Sequence, residues 1–160
     1  MNKELIRAGI MATLAADLET FLEAAKRAHE AATHAECLPD NKHDTTALEA
    51  SYIAQGQANR AGELRLALES YRSLTLQEFD DTTPIRLTAL ITLEDEEGNL
   101  RTVFLGPQAG GLRIPFDGRE ITVVTPASPL GSSLLGKSVD DEVDVDTDSS
   151  ARSFHILAIA

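Results

Sequence analysis

The chain has 160 residues, enough for one globular domain or for a small domain joined to an elongated helical element. Its formal net charge of −12 excludes broad binding to the nucleic-acid backbone, because contacts to phosphate need clustered Lys and Arg side chains. The single cysteine excludes an internal disulfide and favours a reducing cytoplasm. We therefore expect a partner that is a positively charged protein surface or channel, or a metal ion.

The sequence also argues against a membrane location. No apolar run approaches the length that a transmembrane helix requires. The first residues lead directly into an amphipathic pattern that already contains Glu4, which argues against a secretory signal. We expect a soluble cytoplasmic protein with no membrane partner.

Two long segments have the pattern of a coiled coil. From Asn2 to about Ala35 there is no proline, and apolar residues recur at alternating steps of four and three. The positions on the two predicted seams are Met11, Leu14, Leu18, Phe21, Ala25, Ala28, Ala32 and Ala35, then Ala47, Ala50, Ala54, Gln57, Ala61, Leu64, Leu68 and Tyr71. Both seams have alanine beside the break and large side chains far from it, which predicts two antiparallel helices. The pattern alone also allows an ordinary helical hairpin folded against a globular body.

The break between the two helical patterns is polar and acidic. Pro39 cannot continue a helix, because its ring clashes with the carbonyl one turn back and its nitrogen has no hydrogen to donate. The predicted turn at residues 36–44 therefore connects the helices as a hairpin. Its apex carries Glu36, Asp40 and Asp44. Asp40 could serve simply as a turn residue and Asp44 as a helix N-cap.

After Pro84 the period of the apolar residues falls to two, which is typical of strands. A β-hairpin is predicted from residues 85–93 and 100–105. Further strands are predicted at residues 112–115, 120–124, 142–145 and 153–158. Between them, Ser128 as N-cap, Pro129 at the first helical position and Gly136 past the end predict one short helix.

The predicted fold is therefore α+β, with two parts. An N-terminal antiparallel coiled-coil hairpin is expected at residues 1–78. A small β-sheet domain with one short helix is expected at residues 79–160.

Two strings in the second half resemble the C-terminal domain of bacterial Gre-type (GreA/GreB) transcription elongation factors. They are ITLEDEEG at residues 91–98 and SPLGSSLLGKSVDDEV at residues 128–143. The second string is the more specific, since it has the family's Ser-Pro-Leu start, its Leu-Gly-Lys helix end and its Val-x-Asp-Glu-Val segment in order. Together with the hairpin, the resemblance covers essentially the whole chain. It implies an FKBP-like domain at the mouth of the secondary channel of RNA polymerase and a coiled-coil finger inside that channel.

The resemblance further implies a factor that stimulates cleavage of backtracked RNA without a complete active site of its own. In that family, carboxylates at the tip of the finger help to hold a catalytic Mg²⁺ ion shared with the polymerase. Asp40 and Asp44 are the corresponding candidates for catalysis and metal binding. The helix end and its adjoining loop supply the candidate polymerase-binding residues, which are Ser128, Pro129, Leu130, Gly136 and Lys137.

The sequence at the tip leaves a second function open. Cleavage-active members resemble Asp-Leu-Lys-Glu-Asn-Ala-Glu-Tyr, in which two carboxylates lie three residues apart just before an Asn. Asp40 and Asp44 lie four residues apart, and a rival alignment places Thr45 and Leu48 in the carboxylate positions. The alternative is a Gre-like regulator that binds polymerase without cleavage and competes with other factors for the channel.

Other candidate sites are weaker. His34, Cys37 and His43 are close in sequence, but their spacing matches no standard zinc pattern. Ser132 and Ser133 lack the surrounding pattern of a hydrolase nucleophile. The low aromatic content argues against a prolyl isomerase pocket. We expect RNA polymerase as the partner, indirect contact with nascent RNA, and no tight binding to free DNA.

Overall fold

The computed structural model describes residues 2–36 and 46–160. Two long helices, α1 (Lys3–Glu36) and α2 (Thr46–Arg72), precede a six-stranded sheet with one short helix. The remaining elements are β1 (Leu90–Asp95), β2 (Leu100–Leu105), β3 (Arg113–Phe116), β4 (Arg119–Val124), α3 (Pro129–Leu134), β5 (Glu142–Thr147) and β6 (Ser150–Ile159). The predicted α+β architecture is confirmed.

The chain forms two compact units. One is Met11–Glu69, which contains most of both long helices, and the other joins Met1–Ile10 to Ser70–Ala160. The start of α1 therefore packs with the sheet. None of the described helices combines the length and the apolar character needed to cross a bilayer.

The helical unit follows the predicted seams. Every predicted seam position whose side chain is described is buried or half-buried, and Leu14, Ala61 and Leu64 are almost fully buried. The guanidinium carbon of Arg60 lies 5.9 Å from the centre of the Phe21 ring. The start of α1 is bonded to the residues that follow α2, since Arg7 Nη1 donates to Leu74 O at 2.8 Å. These contacts show that α1 and α2 run antiparallel.

The strands are ordered β3-β4-β2-β1-β6-β5 across the sheet. All neighbours are antiparallel except β2 and β4, which are parallel. Because alternate residues of a strand point to opposite sides, the register assigns each side chain to a face. We call the side of the sheet that packs against α3 the α3 face.

The α3 face carries a continuous hydrophobic core. Leu134 of α3 is fully buried in it, and Leu130 and Phe79 pack against its edge. The other members are Ile85, Ala89, Ile91, Leu93, Val103, Leu105, Val124, Val143, Val145, Phe154, Ile156 and Ile159. This core holds the short helix in a fixed position on the sheet.

The opposite face packs against the start of α1. A Cβ atom at Gly9 would stand 3.5 Å from Ile114 Cδ1, and Ile6 and Ile10 are fully buried. Lys3 adds polar contacts, because its ammonium group donates to the carbonyl oxygens of Gln77 and Thr88. Burial lowers the pKa of Lys3, and Glu78 partly offsets this effect.

The predicted strand at residues 85–93 begins later than expected. β1 starts at Leu90, because the backbone of Ile85 is already engaged with the segment after α3 and Thr88 has a positive φ of 78°. An extended strand is incompatible with that φ value. The returning strand at residues 100–105 is confirmed, and the other predicted strands are present with ends shifted by one to three residues.

Tyr71, near the end of α2, is the largest fully buried side chain and generates a first prediction. Its hydroxyl donates to Gln108 O at 2.7 Å, and a Cβ at Gly106 would stand 2.1 Å from that hydroxyl. The Tyr71→Phe variant removes the donor of this hydrogen bond from a fully buried side chain. We expect the free energy of unfolding to fall by about 1–2 kcal/mol, measured by urea denaturation at pH 8. Tyr52→Phe is the matched control, because Tyr52 is 68% exposed and its removal should change stability little.

Tyr71 also predicts a pH dependence of stability, which a comparison of wild type with Tyr71→Phe can measure. Burial raises the pKa of Tyr71 above its ordinary value. The folded state therefore holds this proton more tightly than the unfolded chain, whose tyrosine pKa is about 10. The stabilisation is complete below pH of about 10 and is lost as the pH rises above it. Between about pH 9 and about pH 11, the free energy of unfolding of wild type should fall more than that of Tyr71→Phe. Equal losses would contradict the raised pKa of Tyr71.

Candidate functional site

The short helix α3 begins as the sequence predicts. Ser128 is its N-cap, with an extended backbone, and its hydroxyl accepts a hydrogen bond from Gly131 N at 3.0 Å. The same hydroxyl donates to Thr125 O at 2.8 Å. Pro129 occupies the first turn, where its missing N–H costs no hydrogen bond. The loop before α3 is thereby fixed to the helix by one side chain.

The end of α3 is bonded to the chain that leads into β1. Gly136 has φ 79°, a left-handed conformation that favours glycine. Its N–H donates to Ile85 O at 2.8 Å, and Ile85 N donates back to Lys137 O at 2.8 Å. This reciprocal pair fixes Gly136 and Lys137 in place. It also explains why Ile85 does not join the sheet.

Gly131 makes the closest approach in this region. A Cβ atom at this position would stand 1.9 Å from Thr125 O, far inside any allowed contact. The backbone of α3 can lie against the end of the preceding loop only because residue 131 has no side chain. The glycine in the Ser-Pro-Leu-Gly string is thus required by packing.

The structure brings the five predicted binding residues together at the two ends of α3. Pro129, Gly136 and Lys137 are exposed, and Ser128 and Leu130 are half-buried. Leu135 is also 41% exposed and adds an apolar side chain that the sequence analysis did not name. A rigid, partly apolar ridge with one lysine is therefore available to a partner.

A cleft opens beside α3 on the α3 face of the sheet. Ser128, Pro129 and Leu130 form one wall, Phe154 forms part of its floor, and the volume is about 420 Å³. A second depression of about 660 Å³ continues along the sheet and shares Arg101, Thr122, Arg152 and Phe154 with the first. We call the two together the arginine cleft. Its arginines are Arg101, Arg113, Arg119 and Arg152.

The register explains why three of these arginines meet. Arg101 lies opposite Leu93, Arg113 opposite Thr122, and Arg152 opposite Val145, and these partners share the α3 face. Burial lowers the pKa of Arg101, and the charges of Arg113 and Arg152 lower it further, while Glu120 acts in the opposite direction. The sequence pattern alone does not predict this cluster. The one sequence feature that points to it is that Arg101 lies on the same face of a predicted strand as the apolar residues Val103 and Leu105.

The predicted tip residues Asp40 and Asp44 lie outside the described residues, as do Cys37 and His43. His34 lies exposed near the end of α1. Within residues 2–36 and 46–160, no group of three His, Cys, Asp or Glu side chains is placed to hold a metal ion. Ser132 and Ser133 both donate to Pro129 O, so their hydroxyls are engaged within α3.

Comparison with known proteins gives a family match. The family model "Transcription elongation factor, GreA/GreB, C-term" matches residues 81–160, which is half of the chain. A search of curated protein sequences gives no match.

Several solved structures are similar over much of the chain. GreA factor homolog 1 of Thermus thermophilus is 23% identical, with 94% of each chain covered and a TM-score of 0.41. The Thermus aquaticus protein of that name is 24% identical, covering 95% of this chain and 94% of its own, with a TM-score of 0.39. A GreA/GreB elongation factor from Nitrosomonas europaea is 17% identical, covering 66% of this chain and 79% of its own, with a TM-score of 0.38.

The close approach at Gly131 generates a second prediction. In Gly131→Ala the new methyl group collides with Thr125 O, so α3 must shift. We expect the free energy of unfolding to fall by about 2–4 kcal/mol, measured by thermal or urea denaturation. Gly62→Ala in α2 is the control, since no atom lies within 4 Å of the new Cβ. That variant should gain about 0.5–1 kcal/mol from helix propensity, and equal effects at the two positions would contradict the packing role.

Proposed function

The chain belongs to the GreA/GreB family of transcription elongation factors, and from this membership we propose that it binds RNA polymerase through its C-terminal domain. The observation that carries the proposal is the family match over residues 81–160, which contains α3 and both of its fixed ends. In this proposal the ridge formed by Ser128, Pro129, Leu130, Gly136 and Lys137 contacts the polymerase at the mouth of its secondary channel. The helical hairpin enters the channel.

The geometry of α3 supports this role. Binding surfaces lose less entropy when their groups are held rigidly before association. The cap at Ser128 and the backbone pair between Ile85 and the end of α3 supply that rigidity. Lys137 offers one positive charge and Leu135 an exposed apolar side chain on the same ridge. These features suit a protein partner with both apolar and acidic groups.

We further propose that Asp40 and Asp44 stimulate cleavage of backtracked RNA inside the polymerase. The donor set fits Mg²⁺ by its chemistry, because this hard cation takes one or two carboxylates and keeps several waters. When bound, Mg²⁺ polarises a phosphate and lowers the pKa of a coordinated water. The two aspartates would hold the ion together with the polymerase's own ligands, and one of them would orient or deprotonate the attacking water. The protein would then contact the nascent RNA only through this site.

A second candidate function is a regulator that occupies the channel without promoting cleavage. The spacing of four residues between Asp40 and Asp44, with no Asn after them, favours it. So does the alignment that puts Thr45 and Leu48 at the carboxylate positions. Either function places the protein in the cytoplasm with the polymerase. In both, the net charge of −12 supports the absence of tight binding to free DNA.

A third prediction separates these two functions. In stalled, backtracked elongation complexes at fixed Mg²⁺, wild type should shorten the RNA from its 3′ end. Asp40→Ala and Asp44→Ala should each slow this cleavage by at least about tenfold, an order typical of lost acid–base or metal-binding groups. Polymerase binding, measured in parallel, should stay unchanged.

Asp148→Ala is the matched control, because it removes one exposed carboxylate from the C-terminal domain and should leave cleavage unaffected. If wild type and both tip variants are equally inactive but displace an active GreA-type factor from polymerase, the protein is a channel-occupying regulator. A wild type that neither binds polymerase nor changes cleavage would refute both functions.

A further inference from the structure

The arginine cleft concentrates positive charge in an otherwise acidic domain. Residues 79–160 contain six basic and fourteen acidic residues. Four of the six basic residues line the cleft, but only two of the acidic ones, Asp95 and Glu120, do so. A protein of net charge −12 thus presents one local patch with a positive surplus. Charge separated in this way selects an anionic partner.

Among the described residues, the two carboxylates in the cleft form one ion pair with its arginines. Asp95 accepts hydrogen bonds from the backbone N–H groups of Glu97 and Asn99 and from the Asn99 side chain, so it is committed to the β1–β2 turn. These bonds, led by that of the Asn99 side chain, lower the pKa of Asp95, and the charge of Arg152 adds a smaller effect in the same direction. Glu120 forms an ion pair with Arg113, at 3.6 Å, in which both side chains are exposed, and it acts on Arg101 only through its charge.

Three guanidinium groups are therefore available. Among the residues that the structure describes, none forms a hydrogen bond or ion pair with Arg101, Arg119 or Arg152. Arg101 is half-buried, and a buried cation without a partner is costly. A ligand carboxylate would remove that cost, since the guanidinium fork matches the two oxygens of a carboxylate.

The floor of the cleft is apolar. Phe154 is only 6% exposed, and Val124, Val145 and Leu130 contribute further apolar surface beside it. A small inorganic anion would leave this floor uncovered. A ligand that carries both carboxylates and an apolar side chain would use the arginines and the floor together.

We propose that the arginine cleft binds an acidic polypeptide segment of RNA polymerase, with carboxylates on Arg101 and Arg152 and an apolar side chain against Phe154 and Leu130. This inference rests on the proposed function and names the chemistry of the partner surface. The cleft shares Ser128, Pro129 and Leu130 with the ridge at α3, so the two form one continuous binding surface.

The charges around the cleft favour a polypeptide over RNA. Glu96 and Glu97 line the neighbouring depression together with Arg152, at the edge of the cleft. A nucleic-acid strand would bring several phosphates past these carboxylates and into the field of a strongly negative protein. A short acidic segment needs only two or three localised charges at the arginines.

The test measures affinity of the full chain for immobilised core RNA polymerase at several salt concentrations. Arg101→Gln/Arg152→Gln should weaken binding by about tenfold and reduce its salt dependence. Arg86→Gln, compared with Arg152→Gln alone, is the matched control, because it removes one charge from an exposed position of the C-terminal domain outside the cleft. Its affinity should stay within about twofold of wild type.

A second readout identifies the class of ligand. A synthetic peptide of alternating Glu and Leu should bind wild type and lose binding in the cleft variant, whereas a single-stranded RNA of equal charge should not bind. Thermal unfolding checks that the variant folds, and if it does not, Arg152→Gln alone should weaken polymerase binding by about threefold. Arg152 is exposed, so its loss leaves the core intact.

The outcomes distinguish a failure of the cleft inference from a failure of the proposed function. If wild type binds polymerase and the cleft variants bind equally well, the cleft inference is overturned and the proposed function stands. If RNA binds in an arginine-dependent manner and the peptide does not, the cleft is a nucleic-acid site and the inference is wrong. If wild type does not bind polymerase at all, the proposed function and the cleft inference both fail.

Discussion

The contact between Gly131 and Thr125 O is the constraint on which the candidate site depends. It lets α3 lie directly against the end of the preceding loop, where the Ser128 cap and the backbone pair with Ile85 can form. Leu134 then reaches the core of the sheet and is fully buried. The residues on the outer side of α3 are left exposed on a helix that is bonded at both ends. The candidate binding surface thus depends on a packing requirement on the inner side of α3.

The two faces of the sheet differ in how much of their surface is covered. The face against the start of α1 is apolar and covered. Hydrogen bonds from the Tyr71 hydroxyl to Gln108 O and from the Lys3 ammonium to Thr88 O add to its packing. The α3 face is closed at one end by the helix and open at the other, where the arginines lie. One sheet therefore supplies both a structural core and a concave surface with an apolar floor and arginine side chains. The same strands that bury Leu93 and Val103 also position Arg101.

The sequence predicted most of the fold because its signals are local. Ser128, Pro129 and Gly136 specify a cap, a first turn and a helix end from short-range chemistry, and the seams repeat over many turns. Residues 85–89 were assigned wrongly to a strand because the backbone of Ile85 bonds to Gly136 and Lys137, about fifty positions away, and Thr88 has a positive φ. The arginine cleft was missed for the same reason. Arg101, Arg113 and Arg152 come from three strands, and only the register brings them to one face.

The central claim is that the C-terminal domain docks on RNA polymerase with the α3 ridge at the interface. Site-specific photo-crosslinking from position 132 tests it most directly, since Ser132 is exposed on α3 and its side chain bonds only within the helix. We expect the full-length protein to crosslink to one polymerase subunit and excess unmodified protein to suppress the crosslink. The same probe at exposed Glu142, on the edge strand β5, provides the comparison within the domain. If position 132 gives no crosslink to polymerase although the protein still changes transcription, the account is contradicted.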